Sequence, residues 1–136
     1  MADAEQAPAV TGGPRLLLRV EGAALLAVAT VAFARTGASW WLYAILFLAP
    51  DLSFLAYLAG ARPGAVAYNA MHTMIGPIAL AGAGIVAAQP IALAIALIWA
   101  AHIGFDRLLG YGLKYAAGFG FTHLGRIGRD RSTEGP

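Results

Sequence analysis

Residues 39–60 read SWWLYAILFLAPDLSFLAYLAG, a stretch whose one charged side chain is Asp51. At about 1.5 Å of rise per residue, a helix of this length covers about 33 Å, the thickness of a bilayer's hydrocarbon core. It opens on Trp40, Trp41 and Tyr43, the aromatic cluster expected at a membrane–water interface. The same pattern extends in both directions. Between Val20 and Phe105 the only charged residues are Glu21, Arg35, Asp51 and Arg62. Apolar runs cover about 16–34, 39–60, 65–88 and 91–109. They are parted by Arg35-Thr36-Gly37-Ala38, Arg62-Pro63-Gly64 and Gln89-Pro90. The expected fold is an all-α membrane protein with four transmembrane helices in an antiparallel bundle.

Composition agrees. Over 136 residues, 60% hydrophobic side chains against 12% charged ones argue against a soluble enzyme. The absence of cysteine excludes disulfides, thiolate metal sites and cysteine nucleophiles. Residues 1–14 and 125–136 read as disordered tails around one membrane domain, 15–124. Arg15 and Arg19 before a run ending in Ala32-Phe33-Ala34 formally match a signal peptide, but Glu21 sits badly inside such a core. The basic residues Arg15, Arg19, Arg62, Arg107, Lys114, Arg126, Arg129 and Arg131 fall on one face, against Arg35 on the other, which puts both termini in the cytoplasm. The net charge of +2 therefore belongs to a membrane flank. Membrane lipids are the expected partners and nucleic acid is not. Residues 110–124 are aromatic and glycine-rich; they read as an interfacial anchor, an extension of the fourth helix, or a lid over the cytoplasmic mouth.

The charges inside the apolar runs carry the functional reading, since each costs about 2.5–3.5 kcal/mol in hydrocarbon. Counted from the cytoplasmic helix ends, Glu21 lies roughly 8 Å in, Asp51 roughly 14 Å, and His72 and His102 roughly 11 Å. Asn69 shares a face with His72, and Asp106 with His102, at i, i+3 and i, i+4 spacing. All fall in one cytoplasmic layer, while the opposite half is nearly pure Ala, Leu, Ile, Val and Gly. Glu21, Asp51, His72, His102 and Asp106 are thus candidate catalytic residues. His72, His102, Asp51 and Asp106 also form a candidate ligand set for iron, zinc or manganese. Tyr68, Asn69, Lys114 and His123, with Tyr57, are candidate supporting groups.

Structural roles compete at each position. Glu21 can pair with Arg19, Ser53 can satisfy Asp51, Arg107 can pair with Asp106, and the histidines can be interhelical glue. Pro50 and Pro77 read as kinks. Gly76, Gly84 and Ala83 read as close-packing faces. Serine-triad, H-E-x-x-H and dinucleotide motifs are absent.

The segments Pro50-Asp51-Leu52-Ser53, Tyr68-Asn69-Ala70-Met71-His72, Ala101-His102-Ile103-Gly104-Phe105-Asp106-Arg107 with Gly110-Tyr111-Gly112-Leu113-Lys114-Tyr115, and Thr122-His123-Leu124-Gly125 resemble a family of small bacterial membrane proteins, domain of unknown function 4260. The resemblance covers about 16–128. It implies a four-span bacterial inner-membrane protein and brings no activity with it. Glu21, Asp51, Asn69, His72, His102, Asp106, Lys114 and His123 stand at positions matching the family pattern. The leading functional reading is a membrane-embedded acid/base or metal-dependent enzyme on a lipophilic or small substrate. A proton-coupled transporter or channel, expected as a homodimer, and a structural or partner-binding protein are the alternatives.

Overall fold

The computed structural model describes residues 8–128, and within them the chain is mostly helical up to Leu109. Helix α1 spans Gly12–Thr36 and ends on Gly37, whose φ of 72° places it in the left-handed region that closes helices. Helix α2, Trp40–Leu46, starts from Ser39, whose hydroxyl accepts the Trp41 amide. It runs on as a 3-10 segment, Ala49–Ala59. Helices α3, Ala61–His72, and α4, Ile75–Val86, meet at a 41° bend, and α5 covers Pro90–Leu109. Three helices, Gly12–Thr36, Trp40–Ala59 and Pro90–Leu109, are long and apolar enough to cross a membrane, and the bent α3–α4 pair makes a fourth if it is one span.

Prolines explain the breaks. Pro14, Pro50, Pro63, Pro77 and Pro90 each sit in the first turn of a helix, where the missing N–H costs nothing. Pro77 cannot donate to the Thr73 carbonyl four residues upstream, and it is at Thr73 that the backbone turns extended. The expected kink at Pro77 therefore lies four residues earlier, and the expected single run 65–88 is two helices. Pro50 likewise cannot bond back to Leu46. The chain resumes with the three-residue pattern that begins with the Asp51 amide on the Leu48 carbonyl at 3.1 Å.

That change of pitch decides which way side chains face. In a 3-10 helix, residues i and i+3 eclipse one another. Leu52, Leu55 and Leu58 form an exposed stripe suited to lipid, while Asp51, Phe54 and Tyr57 form the stripe turned toward α3. A second close approach joins α1 to α5. A Cβ on Gly22 would lie 2.7 Å from the Leu108 amide nitrogen and 2.8 Å from the Gly104 carbonyl oxygen. One on Gly104 would lie 2.6 Å from the Leu26 amide nitrogen. Packing this tight has only hydrogen at both positions.

Helix α5 stops at Leu109, with Gly110 left-handed at φ 89°, so residues 110–124 do not extend it. They fold back instead. The strands β1, Phe121–Thr122, and β2, Gly125–Arg126, form a small antiparallel hairpin, and Lys114 bridges to Thr122. Asn69 clamps this segment to α3: its amide donates to the Lys114 carbonyl at 2.8 Å, and its oxygen accepts the Lys114 amide at 2.7 Å. Parts of both stretches read as tails, residues 10–14 and 125–127, are built into the fold. Helix α1 already begins at Gly12, and the Val10 amide donates at 2.8 Å to the His123 carbonyl in the turn of the hairpin. Gly125–Arg126 is paired strand, and the Ile127 amide bonds the Gly120 carbonyl at 2.9 Å. Residues 1–7 and 129–136 lie outside the described residues.

Candidate metal centre

Three elements deliver four ligand-type side chains to one point. Asp51 comes from the first turn of the 3-10 segment, His72 from the last turn of α3, and His102 and Asp106 from one face of α5 at i, i+4. One ligand atom from each lies within 4.8 Å of all the others. His72 Nε2 stands 3.1 Å from His102 Nε2, 3.3 Å from Asp51 Oδ1 and 3.3 Å from Asp106 Oδ2. His102 Nε2 stands 3.3 Å from Asp51 Oδ1 and 3.6 Å from Asp106 Oδ2. The histidines are fully sequestered at 0% and 1% exposure and Asp106 at 6%, while the Asp51 side chain keeps 34%.

The tautomer of His72 follows from its partner. His72 Nδ1 lies 2.8 Å from the Tyr68 carbonyl, which only accepts, so Nδ1 carries the proton and Nε2 presents a lone pair. That lone pair looks at a second imidazole nitrogen and two carboxylate oxygens. Neutral imidazoles leave room for one N–H, on His102 Nε2, among four converging acceptor groups. His102 Nδ1 is buried with no hydrogen-bond partner among the described residues.

Surrounding groups hold the ligands. The Tyr68 ring lies flat against His72, with centroids 3.7 Å apart and planes 10° apart, and its hydroxyl donates to Asp106 Oδ2 at 3.2 Å. Phe47 packs edge-on to His102, with centroids 5.4 Å apart. Arg107 donates to the His72 carbonyl at 2.8 Å and to the Tyr111 carbonyl at 2.7 Å; among the described residues it makes no ion pair with Asp106. Ser53 donates to the Pro50 carbonyl at 2.7 Å and leaves Asp51 free for the centre.

The carboxylate side of the centre opens into a cleft of about 540 Å³, within the size range of small-molecule sites. Asp51 and Asp106 line it together with Phe54, Tyr68, Lys114 and Phe119, while the two histidines stand behind. Phe54 and Phe119 went unread in the sequence, although the threefold spacing of Asp51, Phe54 and Tyr57 marks Phe54 for the same face. Lys114 is buried at 4% exposure, with its ammonium 3.7 Å from the Phe119 ring centroid and 4.7 Å from that of Tyr68. Burial pulls its pKa down to about 8, with the Asp106 charge opposing.

Glu21 is not brought into this group. It is exposed on α1 and lines a separate cleft of about 330 Å³ with Arg107 and His123. Depth along the helix is right, but its bearing around α1 is not, since the α5-facing side there belongs to Gly22. The expected pairing with Arg19 has no counterpart, because Arg19 Nε donates to the Leu108 carbonyl at 2.9 Å. His123 also stays outside the centre. Its Nδ1 accepts the Leu113 amide at 2.8 Å, and burial holds its pKa below the ordinary imidazole value, with nearby Arg107 adding to the shift. Tyr57 packs under Phe119, with ring centroids 5.3 Å apart.

Comparison with curated proteins and with solved structures returns no match. The family comparison does match: residues 15–127, which hold all four ligand-type side chains and their supporting groups, fit the model of a domain of unknown function, DUF4260, and the chain belongs to that family.

Proposed function

We propose that this chain is a membrane-embedded metalloenzyme whose divalent ion is held by Asp51, His72, His102 and Asp106. The carrying observation is the set of separations among the four ligand atoms. An ion with tetrahedral bonds of about 2.0–2.2 Å sets its ligands about 3.3–3.6 Å apart. The five contacts that involve a histidine span 3.1–3.6 Å, and all four ligand atoms lie within 4.8 Å of one another. Two imidazoles and two carboxylates suit zinc, iron or manganese. A central cation also resolves the convergence of lone pairs on one point.

Bound there, such an ion supplies Lewis acidity toward a substrate oxygen or a water. The protein supplies the rest. Tyr68 fixes the His72 ring through its backbone carbonyl and orients Asp106 through its hydroxyl. Asp51 and Asp106 face the cleft, so a molecule in the cleft meets the oxygen side of the centre. Phe54, Phe119 and the folded-back segment supply apolar walls that limit water.

The same proposal includes four spans, with α3 and α4 as one broken span, both termini in the cytoplasm of a bacterial inner membrane. The basic residues Arg15, Arg19, Arg62, Arg107 and Lys114 support this orientation against Arg35. Transport is the weaker reading, since α4 carries no ionisable side chain and leads away from the centre without a polar path.

Elemental analysis tests the proposal. Detergent-purified protein, reconstituted with zinc, iron or manganese, should hold close to one equivalent of metal, and the His72→Ala/His102→Ala double variant should lose it. Wild-type protein that stays metal-free after reconstitution with each ion overturns the reading.

A further inference from the structure

Among the described residues, Lys114 is a buried cation with no ion-pair partner, in a cleft whose carboxylates stand on the side of the candidate metal centre. Its ammonium has three N–H groups, and one is used, on the Phe119 carbonyl at 2.8 Å. Among the described residues it makes no salt bridge, and it is 4% exposed while lining the same cleft as Asp51 and Asp106. Its position is built. Asn69 grips the Lys114 backbone on both sides, and the aromatic faces of Phe119 and Tyr68 hold the ammonium at 3.7 and 4.7 Å from their centroids. Burying an ammonium whose donors are mostly unmet is costly unless something that visits the cleft meets them. Apart from Lys114 and the two metal-side carboxylates, Phe54, Phe119 and Ile127 make much of the wall apolar.

We propose that Lys114 is the anion-recognition end of the cleft, and that the substrate is an amphiphile: an apolar body carrying a carboxylate or phosphate that pairs with the Lys114 ammonium. This deepens the metalloenzyme reading by naming its substrate class, and it rests on that reading for the reacting end only. The shared chemistry is an anionic head on an apolar body. It comes either from a membrane lipid or from a smaller anion free in the cytoplasm, and chain length separates the two.

The test is equilibrium binding of radiolabelled decanoate, decyl phosphate, decanol and butyrate to full-length protein in phosphatidylcholine nanodiscs, with metal content measured on the same samples. Wild type should bind decanoate and decyl phosphate more tightly than decanol. Lys114→Met, which keeps the aliphatic stem, should weaken both anions by roughly ten- to hundredfold and leave decanol unchanged. Lys114→Arg should restore anion binding to within a few fold, which shows that a misfolded Met variant is not the cause. Butyrate binding as tightly as decanoate assigns the anion to a cytoplasmic source; much weaker butyrate binding assigns it to a lipid. Decanol binding as tightly as decanoate, or anion binding unchanged in Lys114→Met, overturns the proposal. Metal content reads separately: if the wild type stays metal-free while the Lys114 effect persists, the metal reading falls and the anion site stands.

Discussion

Replacing Tyr68 by Phe removes one oxygen atom and little else. The ring stays in place, since it is held between His72 at 3.7 Å and Phe54 at 5.3 Å between centroids, and the backbone carbonyl that orients His72 is untouched. What disappears is the hydroxyl that reaches Asp106 Oδ2 at 3.2 Å. Groups that orient a metal ligand are typically worth 10- to 100-fold in metal affinity. A 3.2 Å contact is longer than the usual 2.5–3.0 Å for O–H···O, which puts this one at the low end. The expected loss is therefore about tenfold, or ~1.4 kcal/mol. Competition against a fluorescent chelator in detergent measures it. Phe54→Leu is the control, because it perturbs the stack but makes no hydrogen bond to a ligand, its ring standing 6.4 Å from that of His72, and its affinity should stay within about twofold. If Tyr68→Phe binds metal as tightly as the wild type while His72→Ala does not bind at all, Tyr68 does not orient Asp106. If Phe54→Leu loses as much as Tyr68→Phe, the stack rather than the hydroxyl carries the effect.

Three further outcomes are expected. Gly22→Ala places a methyl 2.5 Å from Arg107 Cβ and under 3 Å from two backbone atoms that cannot step aside. It should cost about 1–3 kcal/mol and lower the detergent melting temperature, whereas Gly82→Ala, with nothing within 4 Å, should not; equal melting temperatures would contradict the close α1–α5 crossing. Asn69→Ala removes the two hydrogen bonds that clamp the C-terminal segment, each worth about 0.5–1.5 kcal/mol, and hydrogen exchange of the amides at 113–123 should speed up while that of α5 stays slow. Binding of an anion at Lys114 should be level at lower pH and decline as pH rises through about 8, since the ammonium is lost there. The groups sharing its cleft are Asp51, Tyr68, Asp106 and Tyr111. Lys114→Arg should flatten this decline, and a decline that persists in the Arg variant assigns the titration elsewhere.

What composition and spacing revealed was position along the chain; what they concealed was bearing around the helix axis. Apolar runs bounded by Arg35, Arg62 and Gln89 marked the helices, and a shared depth picked out Asp51, His72, His102 and Asp106. Glu21 has the right depth as well, yet it points elsewhere, because the neighbouring Gly22 occupies the crossing with Gly104. The 3-10 segment was within reach of the eye: Asp51-Leu52-Ser53-Phe54-Leu55-Ala56-Tyr57-Leu58-Ala59 repeats polar or aromatic, Leu, small with a period of three. An α-helix assumed for that stretch spreads Asp51, Phe54 and Tyr57 over different bearings, so the aromatic wall of the cleft stayed hidden. The fold of 110–128 was not legible, because its anchoring depends on a side chain from α3, Asn69, reaching a backbone that has no periodic pattern of its own.

Charge balance ties the two proposals together. Asp51 and Asp106 bring two negative charges into a low-dielectric interior, and a divalent ion on those carboxylates and the neutral imidazoles cancels them. Lys114 is then left over, with a carbonyl and two aromatic faces as its company. Arg107 bonds the His72 and Tyr111 carbonyls, which carry no net charge either. A metal-loaded centre is thus net positive on its cleft side, and the ligand that restores neutrality is an anion. Without the metal, the same carboxylates would offer Lys114 a negative field and repel an anionic head. The two sites therefore predict positive coupling: metal should tighten decanoate binding in wild-type protein, and decanoate should tighten metal binding by the same factor. Loading that leaves decanoate affinity unchanged would mean that the cleft does not join the two ends.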